Sequence, residues 1–238
     1  MNPPRPDLRQ SHTHRPLTAE FHVSPEADGS VKLDHGKTCV IVSIYGPSPP
    51  KYTRHEKYDK ASLEIDYRTC SSGLISGDQR IQMEKHVSET LHSLFAATIK
   101  LAAYPRKLVV IRICVIRDDG CVVSACINAC SLALMHSGIA MVQLPVSVSC
   151  AMSKTDHHFL LDPCSEEEVS SQAVFSFTYI NTKSTPCGQD ELSLSVAQSK
   201  SVGIFTLDQL QMAMTNCENA SITVRGLIRE LISQVLMK

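Results

Sequence analysis

A strand, a glycine turn and a very apolar helix follow one another between residues 108 and 136, and this succession constrains the fold most. Residues 108–116 form an apolar run that predicts a strand. Residues 124–136 predict a helix with apolar side chains on nearly every face, which is typical of a helix at the centre of a domain. Its small residues allow a neighbouring element to approach closely. The apolar positions of this helix are Ala125, Cys126, Ile127, Ala129, Cys130, Leu132, Ala133 and Leu134.

The turn before this helix has the backbone pattern of an anion site without its side chains. A glycine turn that opens a helix presents free N–H groups and the positive end of the helix dipole to an anion. A phosphate site would also carry a basic or hydroxylated side chain there, whereas Cys121, Val122 and Val123 follow Gly120. The pattern indicates a phosphate-using scaffold that has lost its phosphate.

The composition excludes several classes of protein. The chain has 23 Lys and Arg against 24 Asp and Glu, which argues against coating nucleic acid through bulk charge. It has no Trp, so a platform of aromatic side chains that stack on bases is not expected. No apolar run reaches the roughly 18 residues of a membrane span. Four of the ten cysteines, at 114, 126, 130 and 150, lie in apolar runs, and the chain has no Cys-x-x-Cys pair. The N-terminus lacks an apolar leader, so a reduced intracellular protein is expected.

Strands followed by long helices favour an α+β fold over a doubly wound sheet. Residues 1–17 are rich in Pro, His and Arg without periodicity, and predict a disordered tail before a single domain over residues 18–238. Thr206 and Gln209 predict a capping box for the last helix. Strands are predicted at 17–21, 29–33, 38–45, 62–67, 107–116, 144–151, 158–161, 174–180 and 192–196, and helices at 79–103, 124–136 and 206–235.

Short segments along the chain carry a family resemblance through their order and spacing. They are residues 28–30 (DGS), 38–47 (TCVIVSIYGP), 60–65 (KASLEI), 104–106 (YPR), 119–130 (DGCVVSACINAC), 132–139 (LALMHSGI) and 161–163 (LDP). Together they resemble the RNase PH family over residues 17–237, and within it the eukaryotic exosome ring subunits. The resemblance implies an RNase PH-like fold (ribosomal protein S5 domain 2-like), in which mixed sheets pack against long helices.

Active members of this family cleave RNA from its 3′ end with inorganic phosphate as the attacking group. Their Gly-Gly-Thr/Ser-Arg turn grips the phosphate, and the matching residues here are Gly120, Cys121, Val122 and Val123. Valine at position 123 replaces an arginine whose guanidinium would contact phosphate through two hydrogen bonds. The resemblance therefore implies that the phosphate grip is lost.

Acidic residues after the Leu-Asp strand act in metal binding or acid catalysis in the active family members. This chain keeps Asp162 and Glu168, but the second acid of the expected pair falls on Val174 or next to it. A motif supports catalysis only when its full set of roles is present. Two separate losses thus predict a catalytically inactive member, with no cofactor and no metal.

Basic residues in two regions are candidates for RNA binding. Lys51, Arg54, Lys57 and Lys60 lie in a loop between strands, and Arg80 and Lys85 open the long helix at residue 79. The resemblance implies that this region faces the central pore of a ring through which RNA passes. The alternative is a solvated loop, and the sequence does not decide between the two.

Other candidate sites have simpler explanations. Adjacent histidines at 157 and 158 would face opposite sides of a strand and could not share an ion. A solvated face is the usual meaning of the acidic run at residues 166–168. Cys126 and Cys130 lie one helical turn apart, yet without a second matching pair they are expected to pack in the core. Nothing in the helix places Ser124 beside His136 as a nucleophile and its base.

The resemblance implies a non-catalytic subunit of the RNA exosome that supports 3′-to-5′ RNA processing, such as rRNA maturation and mRNA decay. Its partners would be RNase PH-like subunits, in heterodimers that form a six-member ring, together with S1/KH cap subunits and RNA, and no membrane. The implied locations are the nucleus, the nucleolus and the cytoplasm. The alternative is an active 3′-to-5′ exoribonuclease or a DNA nuclease, acting as a homodimer, in which Asp162 and Glu168 hold a metal.

Overall fold

The computed structural model describes residues 5, 7, 9–50, 52, 56–70, 77–154, 158–181 and 194–236 of the 238. Its strands are β1 (Leu17–Phe21), β2 (Gly29–His35), β3 (Thr38–Ser48), β4 (Ser62–Thr69), β5 (Leu108–Arg117), β6 (Val146–Met152), β7 (Phe159–Leu161), β8 (Ala173–Asn181) and β9 (Leu194–Gly203). Its α-helices are α1 (Gly77–Thr98), α2 (Val122–His136), α3 (Ser165–Ser170) and α4 (Leu207–Leu236). None of these helices is both long enough and apolar enough to cross a membrane.

The strands form two sheets. The five-stranded sheet has the order β1-β2-β3-β5-β4, in which only β4 and β5 run parallel to each other. The four-stranded sheet has the order β7-β6-β8-β9 and is antiparallel throughout. Helix α1 packs on β4, and α4 packs chiefly on β6 and β8. The predicted α+β fold with mixed sheets and long helices is confirmed.

Helix α2 is the centre of the core, as its all-round apolar pattern predicts. It contacts β2, β3 and β5 of one sheet, β6 and β8 of the other, and α4. Every residue from 124 to 134 is buried. Because no face of α2 meets solvent over that stretch, its polar residues bond inside the protein. The Asn128 amide, for example, donates to the Ser147 carbonyl and accepts from the Ser147 N–H, both at 2.9 Å.

Several element boundaries differ from the prediction for physical reasons. The helix predicted for 79–103 ends at Thr98, because Ile99 then pairs with Met141 and the Lys100 N–H donates to Ala140. A short 3-10 turn follows at Leu101–Ala103. Strand β9 runs seven residues beyond the predicted end at 196, since β8 offers pairing partners as far as Ala173. The predicted residues 192 and 193 lie outside the described part of the chain.

The capping box predicted for the last helix is confirmed. The Thr206 N–H donates to the Gln209 side chain at 2.8 Å, and the Gln209 N–H donates to the Thr206 hydroxyl at 3.4 Å. Each residue thereby satisfies a backbone N–H of the other at the start of α4.

The prediction of a disordered tail over residues 1–17 is wrong for the part that the structure describes. Arg5 and Arg15 are only 6% and 4% exposed. The Arg5 guanidinium donates to the Glu167 carboxylate at 2.7 and 2.8 Å, and Arg15 pairs with Asp162 at 2.8 Å. The Pro- and Arg-rich composition is misleading here because buried carboxylates in the domain require cationic partners.

Candidate functional site

The glycine turn before α2 is packed tightly from two sides. Gly120 has a φ of +87°, and a Cβ there would meet the Pro163 carbonyl oxygen at 2.8 Å. The buried Thr38 hydroxyl accepts from the Asp119 N–H at 3.1 Å and donates to the Gly120 carbonyl at 3.0 Å. Position 120 therefore requires glycine for both its backbone angle and its lack of space.

The N-terminus of α2 is bound to a carboxylate of the same chain. The backbone N–H of Cys121 donates to Glu168 Oε1 at 2.8 Å. Glu168 lies on α3, which begins shortly after the strand that ends at Leu161. An anion at a helix N-terminus is favoured by the helix dipole and by free N–H groups. Here that anion is Glu168.

Burial shifts the pKa of the Glu168 carboxyl and of the Cys121 side-chain thiol. Burial raises the pKa of Glu168 and the nearby Asp118 charge raises it further, while the Cys121 N–H acts in the opposite direction. Burial also raises the pKa of the Cys121 thiol well above its ordinary value. That thiol is 5% exposed and donates to the Pro163 carbonyl at 3.2 Å. Cys121 is therefore a packed thiol and not a nucleophile.

A pocket of about 400 Å³ lies in front of the turn and brings several of the predicted site residues together. Val122, Val123, Glu168 and Val174 all line it, although they come from three different elements. The remaining lining residues are Tyr67, Met83, Val87, Asp118, Cys121, Ser149, Ser176, Lys200 and Val202. Valines thus form the wall where the family resemblance implies an arginine and a second acid.

Asp162 is buried in an ion-pair network and does not face this pocket. Its carboxylate accepts from the Arg15 backbone N–H and from the Arg15 guanidinium, and His35 Nε2 lies near it, each at 2.8 Å. Burial alone would raise the pKa of the Asp162 carboxyl, but the hydrogen bonds and charges of His35 and Arg15 hold it well below its usual range. Asp162 lines a separate cavity of about 10 Å³, whereas Glu168 lines the larger pocket. The two acids therefore do not face a common space.

Arg15 is a site residue that the sequence analysis missed. Besides Asp162, its guanidinium donates to the Asp119 carbonyl at 2.8 Å and to the Gly120 carbonyl at 3.3 Å. The N-terminal segment thus holds the glycine turn in place. One sequence feature could have indicated such a residue, namely Asp162 directly after the apolar run at 159–161. A carboxylate that is buried there needs a cation from elsewhere in the chain.

The acidic run at residues 166–168 is not the solvated face that its charge pattern predicts. Glu166 is exposed, but Glu167 is 7% exposed and pairs with Arg5. Glu167 also accepts from the Cys164 N–H at 2.9 Å, which caps α3, and Glu168 accepts from Cys121. The run therefore belongs to helix α3, in which Glu167 holds Arg5 and caps the helix while Glu168 binds the N-terminus of α2.

The candidate RNA-binding residues differ in their availability. Lys51 and Arg54 lie outside the described residues. Lys57, Lys60 and Lys85 are exposed. Arg80 is partly engaged within the protein, because its guanidinium donates to Glu84 at 3.1 Å and to the Thr69 carbonyl. Among the described residues, Lys57, Lys60 and Lys85 are therefore the candidates available for RNA contact.

The other residues considered from the sequence occupy structural positions. Cys126 and Cys130 are fully buried in the core. The Ser124 hydroxyl lies 2.7 to 3.0 Å from the hydroxyls of Ser147, Ser149 and Ser176, and His136 instead contacts His22 and the Ser30 N–H. His157 lies outside the described residues. Within the described ranges, no three His, Cys, Asp or Glu side chains are grouped in a way that could hold a metal ion.

Comparisons with known proteins show which family the chain resembles over most of its length. The chain is 28% identical over 237 residues to exosome complex component Rrp41 of Archaeoglobus fulgidus, covering 96% of this chain and 86% of that protein. It is 26% identical over 190 residues to a rice exosome complex exonuclease RRP46 homolog, covering 80% and 76%. The crystal structure of rice Rrp46 superposes with a TM-score of 0.82 at 22% identity, over 96% of this chain and all of that one. A profile of the 3′ exoribonuclease family, domain 1 (RNase PH), matches residues 13–140, and the chain belongs to that family.

Proposed function

We propose that this protein is a non-catalytic RNase PH-like ring subunit of the RNA exosome. The observation that carries the proposal is the hydrogen bond from the Cys121 N–H to Glu168, with Val122 and Val123 beside it. At the position where an active relative would bind phosphate, this chain has the Glu168 carboxylate, and valine side chains line the pocket beside it.

The charges of the pocket oppose phosphate binding. Phosphoryl transfer relies on positioning and on neutralising the charge of the phosphate oxygens. Among the lining residues, Asp118 and Glu168 are acidic and Lys200 is basic, so they bring no net positive charge to the pocket. A phosphate there would approach a carboxylate without the paired hydrogen bonds of a guanidinium.

Names of the relatives support the exosome assignment. The archaeal and rice proteins are named as exosome components, and the match to each spans most of this chain. The partners we propose are other RNase PH-like subunits, one of them in a heterodimer within a six-member ring, and S1/KH cap subunits. Among the eukaryotic ring subunits, the proposed equivalent is the one called exosome component five.

A silent subunit contributes to RNA processing through assembly and through guidance of RNA. Exposed Lys57 and Lys85 supply positive charge for the phosphate backbone. The processes proposed are rRNA 3′ maturation and RNA turnover in the nucleus, the nucleolus and the cytoplasm. The separate nuclease that cleaves the RNA would lie elsewhere in the assembly.

The test is an RNA degradation assay on the purified chain. RNA labelled at the 3′ or the 5′ end is incubated with the wild type, with or without phosphate and Mg²⁺, beside a Glu168→Ala variant. The expected result is no shortening under any of these conditions. Release of nucleoside diphosphates that requires phosphate would refute the proposal. Mg²⁺-dependent cleavage that Glu168→Ala abolishes would also refute it, in favour of a metal-dependent nuclease.

A further inference from the structure

Two cysteines lie side by side on the five-stranded sheet, away from the pocket. Cys114 belongs to β5 and pairs with Arg68 of the parallel strand β4. Cys70 follows the last residue of β4, and its N–H donates to the Val115 carbonyl at 2.8 Å, which continues the ladder. Side chains alternate along a strand, so Cys70 and Cys114 lie on the same face of the sheet.

The two sulfur atoms are 3.5 Å apart. A disulfide requires a separation of about 2.05 Å, so the sulfurs need to approach by only about 1.5 Å. Cys70 lies just beyond the end of its strand, where such an adjustment disturbs little pairing. Cys70 is exposed and Cys114 is half-buried, so reagents in solution reach the pair.

Another close pair of cysteines provides the contrast. Cys150 and Cys217 share a hydrogen bond, but both are fully buried in the core. Cys126 and Cys130 are likewise without exposure. Since reactivity of a thiol requires both access and a thiolate, these core cysteines are protected where Cys70 is not.

We propose that Cys70 and Cys114 are a peroxide-sensitive pair that forms a reversible intramolecular disulfide. The Cys70 thiolate attacks one oxygen of hydrogen peroxide, the O–O bond breaks, and the leaving hydroxide is protonated to water. Cys70 is then a sulfenic acid. The Cys114 sulfur attacks the Cys70 sulfur, an S–S bond replaces the S–O bond, and a second water leaves. Two thiols are oxidised and one peroxide is reduced.

The two cysteines have different roles in this sequence. Burial and, to a smaller extent, the contact with Cys70 together raise the pKa of Cys114 to about 11. Cys114 is thus a protected thiol at neutral pH, and the exposed Cys70 meets peroxide first. Because the second step requires the Cys114 thiolate, the rate of disulfide formation should rise with pH.

The location predicts which parts of the protein the cross-link would affect. Cys114 lies between Ile113 and Val115, which face the core on the other side of β5 and are 1% exposed. The disulfide would therefore form outside the core and tie the end of β4 to β5.

The experiment is thiol mapping of the full chain by mass spectrometry. The reduced protein is treated with peroxide at several pH values, alkylated in denaturant and digested with trypsin. The expected product joins residues 69–80 to residues 113–117, each of which contains one cysteine. Dithiothreitol should return both peptides to the alkylated form.

Variants separate this pair from general oxidation. Cys114→Ser should leave Cys70 as a sulfenic acid that dimedone traps, and Cys70→Ser should protect Cys114. Cys39→Ser is the matched control, since Cys39 lies on the neighbouring strand β3, is 4% exposed and should leave the cross-link unchanged. The proposal would be overturned if wild-type Cys70 and Cys114 remained alkylatable after peroxide. It would also be overturned if Cys70 were converted only to a sulfinic acid or to a disulfide between chains. Because the mapping uses the wild type, this conclusion does not depend on the folding of any variant.

Discussion

The backbone N–H of Cys121 and the carboxylate of Glu168 form a 2.8 Å hydrogen bond that joins the N-terminus of α2 to α3. This contact couples the most buried helix of the protein to the segment that follows the Leu-Asp strand. According to the family resemblance, the same two segments carry the site residues in the active RNase PH-like enzymes. Here they stabilise each other, and the pocket before them is lined by valines.

Two substitutions of Glu168 should distinguish the contribution of its charge to stability from that of its hydrogen bond. Glu168→Ala leaves the Cys121 N–H without its acceptor and should lower the free energy of unfolding by about 1 kcal/mol. Glu168→Gln keeps an acceptor oxygen and should change stability less. Urea unfolding followed by circular dichroism measures both variants, and an Ala variant as stable as the wild type would contradict a capping role.

The pH dependence of the same variants has a definite sign. The pKa of Glu168 is raised in the folded state, so its protonated form is favoured there and stability from this group falls as pH rises through the folded pKa. Glu168→Gln lacks that titration. The wild type should therefore lose stability relative to Glu168→Gln between mildly acidic and neutral pH, and a parallel pair of stability curves would count against the raised pKa.

Asp162→Asn should be among the most damaging single substitutions near the site. It leaves Arg15 buried without its carboxylate, and we expect a loss of about 3–5 kcal/mol in the free energy of unfolding. Asp66→Asn is the control, because the Asp66–Arg68 pair is exposed and should contribute less than about 1 kcal/mol. Denaturant unfolding at neutral pH checks both values.

Acid should weaken the wild type partly through Asp162. Its folded pKa is depressed, so its stabilising contribution is present above the unfolded pKa and is lost as pH falls below about 5. The Asn variant has no such carboxyl to protonate, and its stability should decline less steeply over the same range. Equal slopes for the wild type and the variant would contradict the assignment.

Arg15→Lys tests whether the N-terminal segment supports the glycine turn. A lysine keeps the charge, but its single ammonium cannot contact Asp162 and the carbonyls of Asp119 and Gly120 in the fixed geometry of a guanidinium. We expect a loss of about 1–3 kcal/mol. Arg68→Lys, at a largely exposed position, should change stability by less than about 0.5 kcal/mol. Similar effects for the two variants would argue against the special role of Arg15.

The central part of the fold was predictable because its signals are local and strong. The all-round apolar pattern of residues 124–136 has one stable explanation, which is burial between other elements. The β-branched run at Thr38 and the Thr206–Gln209 capping box are also recognisable without tertiary information. The prediction that four residues belong to one site followed from the family resemblance and not from their spacing alone. These residues are Val122, Val123, Glu168 and Val174.

The parts that sequence reasoning missed are those in which distant charges pair. Arg5 lies 162 positions from Glu167, and Arg15 lies 147 positions from Asp162. Neither pairing leaves a periodic signal, and a Pro- and Arg-rich segment has the composition of a disordered tail. The acidic run at 166–168 was misassigned for the same reason, since its partners, Arg5 and Cys121, lie far away in the chain.

Isothermal titration calorimetry with inorganic phosphate tests directly whether the glycine turn has lost its phosphate site. The wild type is compared with the double variant Val123→Arg, Glu168→Gln, which restores a guanidinium and removes the competing charge. We expect no saturable binding by the wild type and measurable binding by the double variant. Saturable phosphate binding by the wild type that is lost when Val123 is replaced by Glu would show that the turn still functions as a phosphate site, and would contradict the proposed loss of phosphate binding.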